Sequence, residues 1–444
     1  MSNSNIRKAL NKVTETRDIV LSNGVIKRAV SVYQNHFDGV PAILIADENT
    51  FSVCGEEIYQ QLRAANLTSI DPIVFPGSPM LYANYDNVLL LEEKLRSTIG
   101  VPVVVGSGTL NDLTKLASHH LGREYMVVCT AASMDGYTAS GASISRDGFK
   151  QTFACPAPRI VLADLDVLMK APYKMTASGY GDLIAKNVAG ADWLVAEAMG
   201  IEPVDKTAWD MVQGSLLNSI ENPLLLRTKD HVIYQKFVEG LILSGLTLQY
   251  YKGSRPASGA EHLMSHLWEM HEVAHGVYSH GLKVGLATIA SAALYEKVLE
   301  RDFQKLDVEK TVKDYPSRDQ INEEIKRIHS NPQVIESTIS QCMAKYPDRD
   351  VLLQRLSVLK ENWQAIKARL LVQLIPASKM RQMLTDAGCI THPNQMEKSL
   401  DDLKTAYRQA RLIRSRYTVL DLAAETGCME ECLDELFSPG GFWS

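Results

Sequence analysis

Between residues 41 and 131, short apolar runs alternate with segments of helical spacing. That alternation constrains the fold more than any other feature of the chain. PAILIA (41–46), DPIVFPG (71–77), VPVVVGSG (101–108) and EYMVVCTA (124–131) are short, aliphatic and bounded by turn residues, so they read as buried strands. Residues 54–66, 86–98 and 110–119 lie between them with helical spacing. Strand and helix repeating at this interval predict a parallel sheet with crossover helices, since a tight turn cannot join parallel neighbours. After about residue 165 the alternation stops. Helical segments follow at 178–198, 206–219, 228–246, 258–275, 282–299, 317–343 and 349–371, with no convincing strand among them. The expected architecture is an α/β domain over residues 1–165 and an all-α domain over 166–444.

The chain's 444 residues exceed what one ordinary core organises, which agrees with two domains. A net charge of −6 argues against a nucleic-acid-binding protein. The seven cysteines include no CxxC pair, so no disulfide framework is expected and the setting reads as reducing. Cys428 and Cys432, one helical turn apart, read as ordinary helix residues. The N-terminus MSNSNIRKALNKVTETRD is polar and carries both charge signs, unlike a secretory signal. No apolar run approaches the length of a membrane span, and a cytoplasmic protein is expected. The highly charged segment 307–333 reads as a solvated helical face.

Two loops at predicted strand ends carry candidate binding residues. In VVVGSGTLNDLTK (103–115), Gly106 and Gly108 separate a strand from a helix. Such a turn lets backbone approach a ligand, and the helix N-terminus then offers N–H groups to a phosphate. GSG lacks the full GxGxxG pattern, and a plain tight turn is the alternative reading. Asp47 ends an earlier strand, where a carboxylate can bond a ribose hydroxyl or simply terminate the strand. CTAASMDGYTASGASI (129–144) follows the next strand and contains Asp135-Gly136. Ligands of open α/β sheets bind beyond the carboxyl ends of strands, where both loops lie.

ASGAEHLMSHLWEMHEVAHGVYSHG (257–281) holds five of the 11 histidines. On a helix, His262 and His266 fall about 40° apart, on one face. His271 and His275 fall roughly opposite, and Glu269 lies on the His262 side. Both pairs cannot serve one ion. Zinc-like ions at catalytic sites take three protein ligands and keep one position open. His280, beside Gly281, is a further candidate. Asp182, in ASGYGDLIAKNVAGAD (177–192), is a candidate carboxylate, read as beginning an apolar helix where the dipole alone would favour it.

Taken together, these segments resemble the glycerol dehydrogenase branch of the iron-containing alcohol dehydrogenase superfamily. The resemblance rests on GSGTLNDLTK (106–115), TAASMDGYTAS (130–140), PAPRIVLADLDVL (156–168), SGYGDLIAK (178–186), SGAEHLMSHLWE (258–269), HGLKVGLAT (280–288) and ARLIRSRYTVLDLA (410–423), in the family's order. It implies a dinucleotide-binding domain followed by a helical metal- and substrate-binding domain. The implied metal ligands are Asp182, His262 and His280, with Asp182 also near the substrate. His266 and Asp135 go to the substrate and catalysis. Gly106, Ser107, Gly108, Thr109, Leu110, Asp112, Thr130, Ser133 and Asp47 go to the cofactor. The implied reaction is hydride transfer at C2 between dihydroxyacetone phosphate and sn-glycerol 1-phosphate. NAD is the expected cofactor, with NADP as the alternative, and the metal is zinc or nickel rather than iron. A homodimer is expected, with no nucleic-acid partner. Arg146, Lys150, Lys252, Arg255 and Lys283 are candidate phosphate donors. Two departures stand out: Ser107 replaces a glycine common among relatives, and Ala139 stands where a cofactor-touching serine is usual, with Ser140 beside it. The competing readings are a polyol dehydrogenase on unphosphorylated substrate and a lyase resembling dehydroquinate synthase.

Overall fold

The computed structural model describes residues 3–146, 149–271 and 278–444. The chain divides into two compact units, Met1–Leu183 with Leu217–Gly253 and Ile184–Leu216 with Ser254–Ser444.

The first unit holds all the described strands: β1 (Asp18–Ser22), β2 (Ala42–Asp47), β3 (Ile73–Phe75), β4 (Val101–Gly106), β5 (Met126–Cys129), β6 (Ala142–Arg146), β7 (Phe149–Phe153) and β8 (Ile160–Asp164). Six form one parallel sheet in the order β1-β8-β5-β4-β2-β3. The central strands are buried on both faces, which explains why β2, β4 and β5 read as continuous apolar runs rather than alternating ones. Leu44, Val103, Val105, Val128 and Leu162 from four strands share one core with Val32, Tyr33, Ile58 and Leu62 from the covering helices.

Register sets the site. Gly106 of β4 pairs with Cys129 of β5, so both strands end level and their following loops leave the same sheet edge side by side. The strands β1 and β8 and the antiparallel β6–β7 pair were absent from the sequence reading. At the sheet's edge, β1 is only half-buried and polar at both ends, which hides its apolar residues from a run-based reading. β6 and β7 mix polar with apolar residues, as a ribbon with one wet face does.

In the second unit no strand occurs among the described residues. Helices Ala260–Met270 and His280–Glu300 carry four of the candidate residues. The segment expected as one helix over 317–343 is two, Arg318–Ile328 and Pro332–Met343. Pro332 cannot extend the preceding helix, and Asn331 caps the next one through its side chain onto the Gln333 N–H at 2.9 Å. In Arg318–Ile328 only Ile321 and Ile325 are buried, so the charged stretch is the solvated face expected. Among the described residues no helix is long and apolar enough to cross a membrane.

Candidate active site

In the first unit, the glycine turn runs from β4 into helix Gly108–His120. A Cβ on Gly106 would stand 2.6 Å from Leu110, so glycine is required for the helix to start this close to the strand. Leu110 itself is buried, whereas Ser107 and Thr109 are half-buried, so this first turn meets a ligand with backbone N–H groups and these two hydroxylated side chains. Ser107 has extended backbone at the N-cap but its side chain accepts no cap bond, so its hydroxyl leaves the first-turn N–H groups unspent. Thr130, at the head of the neighbouring loop, is buried and donates its N–H to the Gly106 carbonyl at 3.2 Å. Ser133 is half-buried.

Asp47 caps a short helical turn, accepting from the Thr50 N–H at 2.7 Å. Asp112 accepts from the Ser143 N–H at 3.1 Å and lies 3.5 Å from the Lys115 ammonium. Burial pushes the Asp112 carboxyl up, against the pull of Lys115. Both aspartates therefore have structural duties beside any ligand role.

The Asp135 loop is held from three sides. The fully buried Lys115 donates to the carbonyls of Gly136, Ala139 and Gly141 at 3.1, 2.8 and 3.0 Å. Tyr137 donates its hydroxyl to the carbonyls of Gly106 and Ala131, locking this loop to the glycine turn. Ser244 donates to the Asp135 carboxylate at 2.7 Å. The departure at Ala139 has a physical reading here. The neighbouring Ser140 hydroxyl is taken by Glu15 at 2.7 Å, so it does not stand in for the missing serine.

Asp182 lies in the last turn of helix Tyr173–Ile184, not at a helix start as the sequence suggested. It is 1% exposed and accepts from the Asp135 backbone N–H at 3.1 Å. A helix C-terminus is the wrong end for a carboxylate. Dipole stabilisation therefore does not explain it.

In the second unit, three imidazoles converge. The His262, His266 and His280 rings have centroids 5.4 to 6.1 Å apart. His262 Nδ1 sits 2.8 Å from the buried Glu261, and His280 Nδ1 sits 3.1 Å from Glu269. A carboxylate accepting from Nδ1–H turns Nε2 into the lone-pair nitrogen, which is the arrangement metal-ligating histidines take. Glu269, expected on the His262 side of the helix, orients His280, whose ring neighbours that of His262, with the Lys283 ammonium 3.4 Å away. His266, Glu269 and His280 bring ligand atoms within 4.8 Å of one another. The Nδ1 of His266 is buried and has no hydrogen-bond partner. Burial holds this imidazole well below its ordinary pKa, against the upward pull of Glu269 and with His280, His262 and Arg414 adding to the lowering. His271 caps the helix end on another side, 5.5 Å from the His329 ring. His275 lies outside the described residues.

The expected phosphate donors fare differently. Arg255 is buried and committed, donating to the carbonyls of Tyr417 and Asp192 and pairing with Glu202. Lys283 is paired with Glu269. Arg146 is exposed, its guanidinium 4.4 Å from the Tyr85 ring centre, and Lys252 is exposed in a left-handed turn after helix His231–Tyr251. Lys150 lies on β7.

Residues 20–172 match the family model described as iron-containing alcohol dehydrogenase. A glycerol-1-phosphate dehydrogenase (NAD(P)+) of Halalkalibacterium halodurans is 36% identical over 256 residues, 57% of this chain and 64% of the relative. The match thus spans just under two thirds of that relative's length. The enzyme of the same name from Bacillus velezensis is 31% identical over 58% of this chain and 68% of its own. The crystal structure of glycerol dehydrogenase from Schizosaccharomyces pombe superposes with a TM-score of 0.59 at 15% identity, covering 95% of this chain and 91% of that one. This last likeness concerns the fold: a parallel-sheet domain followed by a helical region.

Proposed function

The chain belongs to the iron-containing alcohol dehydrogenase family, and we propose that it interconverts dihydroxyacetone phosphate and sn-glycerol 1-phosphate by hydride transfer at C2. The observation that carries this reading is the pair of carboxylate-oriented imidazoles. His262 on Glu261 and His280 on Glu269 both turn Nε2 outward for ligation. Asp182 supplies the third ligand, a buried carboxylate in the last turn of its helix. One carboxylate and two imidazoles suit zinc or nickel better than a hard cation. When bound, the ion supplies Lewis acidity toward the C2 oxygen.

The chain's own groups do the rest. The first-turn N–H groups at Ser107–Leu110 receive the dinucleotide pyrophosphate, and Gly106 keeps the backbone low enough for it to approach. Asp112, Thr130 and Ser133 line the cofactor's side. Asp47 favours NAD over NADP, because a carboxylate at that strand end repels a 2′-phosphate. Asp135, steadied by Ser244, orients a substrate hydroxyl. His266 stays neutral at physiological pH and offers Nδ1 to take or return the hydroxyl proton.

The test is NADH oxidation by metal-reconstituted protein with dihydroxyacetone phosphate and, separately, unphosphorylated dihydroxyacetone. A clear preference for the phosphate is expected. Its product should be refused by a dehydrogenase specific for sn-glycerol 3-phosphate. Preference for the free ketone sinks the reading in favour of a polyol dehydrogenase.

A further inference from the structure

The edge of the sheet opposite the glycine turn gathers side chains that the proposed chemistry does not use. Register builds this edge. Asp18 of β1 and Met126 of β5 both pair with Ile160 of β8. The residues just before them, Arg17, Tyr125 and Arg159, therefore stand level across three adjoining strands. Two backbone bonds fix that level: the Arg17 N–H donates to the Arg159 carbonyl at 2.8 Å, and the Arg159 N–H to the Tyr125 carbonyl at 3.0 Å. Parallel neighbours in register send their side chains to the same face. Arg17 and Arg159 accordingly line one cleft of about 390 Å³, to which the turn before β5 adds Arg123 and Glu124. Pro156 and Ala157 give it an apolar wall.

The donors in this cleft outnumber their acceptors. A guanidinium carries five N–H donors and no acceptor. The Arg17 side chain is exposed and makes no hydrogen bond or ion pair among the described residues. Arg159 meets Glu124 through one nitrogen, at 2.7 and 2.8 Å, and its Nε is buried without a hydrogen-bond partner. Arg123 gives its contacts to the carbonyls of Leu95 and Thr98 and the Thr98 hydroxyl, none of them charged. The second carboxylate of the cleft, Glu15, is already taken by the Ser140 hydroxyl and the Ala157 N–H, each at 2.7 Å. Glu124 is thus left to face three arginines. Arginine forks match phosphate oxygens, which supply the acceptors that are missing. The volume exceeds what an inorganic ion needs and falls within the range of small-molecule sites, about 300 to 1,000 Å³.

We propose that this cleft binds a small organic phosphate, with the phosphate on Arg17, Arg159 and Arg123 and the organic body against Pro156 and Ala157. The site lies at the amino ends of the strands, whereas the glycine turn and the Asp135 loop leave their carboxyl ends. It does not depend on the reaction assigned above. It does share two side chains with the Asp135 loop: Lys115 and Glu15, which hold that loop, also line the cleft. The rival reading is a solvated charged surface that holds only water and counter-ions.

The experiment is a calorimetric titration of the NADH-saturated protein with glucose 6-phosphate and, separately, with inorganic phosphate. Wild type is compared with Arg17→Gln, Arg159→Lys and Lys310→Gln. Lys310 is an exposed cation of the second unit, so its variant makes the same change in net charge away from the cleft. Wild type should bind glucose 6-phosphate about tenfold or more tighter than inorganic phosphate, and Arg17→Gln should weaken the sugar phosphate about tenfold, as one charge-assisted contact is worth. Arg159→Lys, which keeps the charge and loses the fork, should weaken it as well, and Lys310→Gln should leave it unchanged. Binding that Arg17→Gln does not alter lies elsewhere and overturns the proposal, as does an equal loss in Lys310→Gln or no binding by wild type. Equal affinity for the two phosphates overturns the organic body. Arg17 makes no side-chain contact, so its variant carries the test if Arg159→Lys does not fold.

Discussion

At the scale of single residues, the buried groups separate into those that hold loops and those left to chemistry. Lys115 is a holder. Its ammonium spends its donors on three carbonyls of one loop, and no donor remains for a ligand. His329 is neither. It is 6% exposed, its Nε2 is buried without a partner, and burial with the nearby His271 lowers its pKa to about 4. In the unfolded chain the same side chain titrates near 6.5. Between those values the unfolded state binds a proton that the folded state refuses. Stability is therefore intact above pH 6.5 and is lost as pH falls toward 4. The shift corresponds to on the order of 3 kcal/mol. Urea unfolding at pH 7 and pH 4.5 for wild type and His329→Leu checks this, because carboxylates titrate alike in both proteins. Wild type should lose about 2 kcal/mol more than the variant across that range. Equal losses would show that the histidine is already relieved by a proton or a water. Residue identity revealed part of this. The common face of His262 and His266 was readable from spacing, whereas Glu261 and Glu269 as the orienting partners of His262 and His280 were not, since helical spacing does not tell which carboxylate a ring will meet.

At the scale of elements, the continuous apolar runs of the buried strands and the long amphipathic helices were plain in the sequence. β1 and the β6–β7 ribbon were not, because edge strands and ribbons are half-wet and their pattern is weak; β8, IVLAD, is buried along its whole length between β1 and β5 and was missed although its run is apolar. Also invisible was the way two helices press directly on the loop after β5. Gly179 of helix Tyr173–Ile184 leaves no room for a side chain: a Cβ there would stand 2.2 Å from the Ala132 carbonyl. Gly245 of helix His231–Tyr251 is as tight, with a Cβ falling 2.4 Å from the Asp135 carbonyl and 2.3 Å from the Thr138 hydroxyl. Neither has a positive φ, so close approach rather than backbone freedom requires glycine. Gly245→Ala should push the Asp135 loop outward and weaken the Ser244–Asp135 bond one residue away. Overpacking of this kind costs roughly 1 to 3 kcal/mol. A larger effect is expected in turnover, because a displacement of an ångström near a reacting group costs about a hundredfold. Kinetics and thermal unfolding of this variant decide it. A stable variant with normal kcat would mean the loop takes up the change without moving Asp135.

At the scale of the whole molecule, the candidate groups divide by unit. Every residue expected to hold the dinucleotide lies in Met1–Leu183, while the three converging imidazoles lie in Ser254–Ser444. The strand–helix alternation announced the first set through its strand-end loops. The second needed the family's motif order, since helix follows helix there without a landmark. This division makes a chelation experiment informative. The pyrophosphate site proposed above draws on backbone N–H groups of one helix start, with no ion among its groups. Stripping metal with a chelator should therefore abolish turnover and leave NADH affinity, read by fluorescence titration, within about twofold, as expected for a site with no shared contacts. Returning zinc or nickel should restore turnover and raise the melting temperature. An ion present at about a thousand times its dissociation constant adds about 4 kcal/mol to the state that binds it. Asp182→Asn should reproduce the stripped behaviour in the presence of metal, since an amide neither carries the charge nor ligates as well. If NADH binding disappears together with the metal, the cofactor depends on the ion. The pyrophosphate would then not be held by the glycine turn alone. If the Asp182→Asn protein still takes up metal and turns over normally, the ligand set proposed here is wrong. In that case His266 and Glu269 with His280, whose ligand atoms also cluster within 4.8 Å, become the donors to test next.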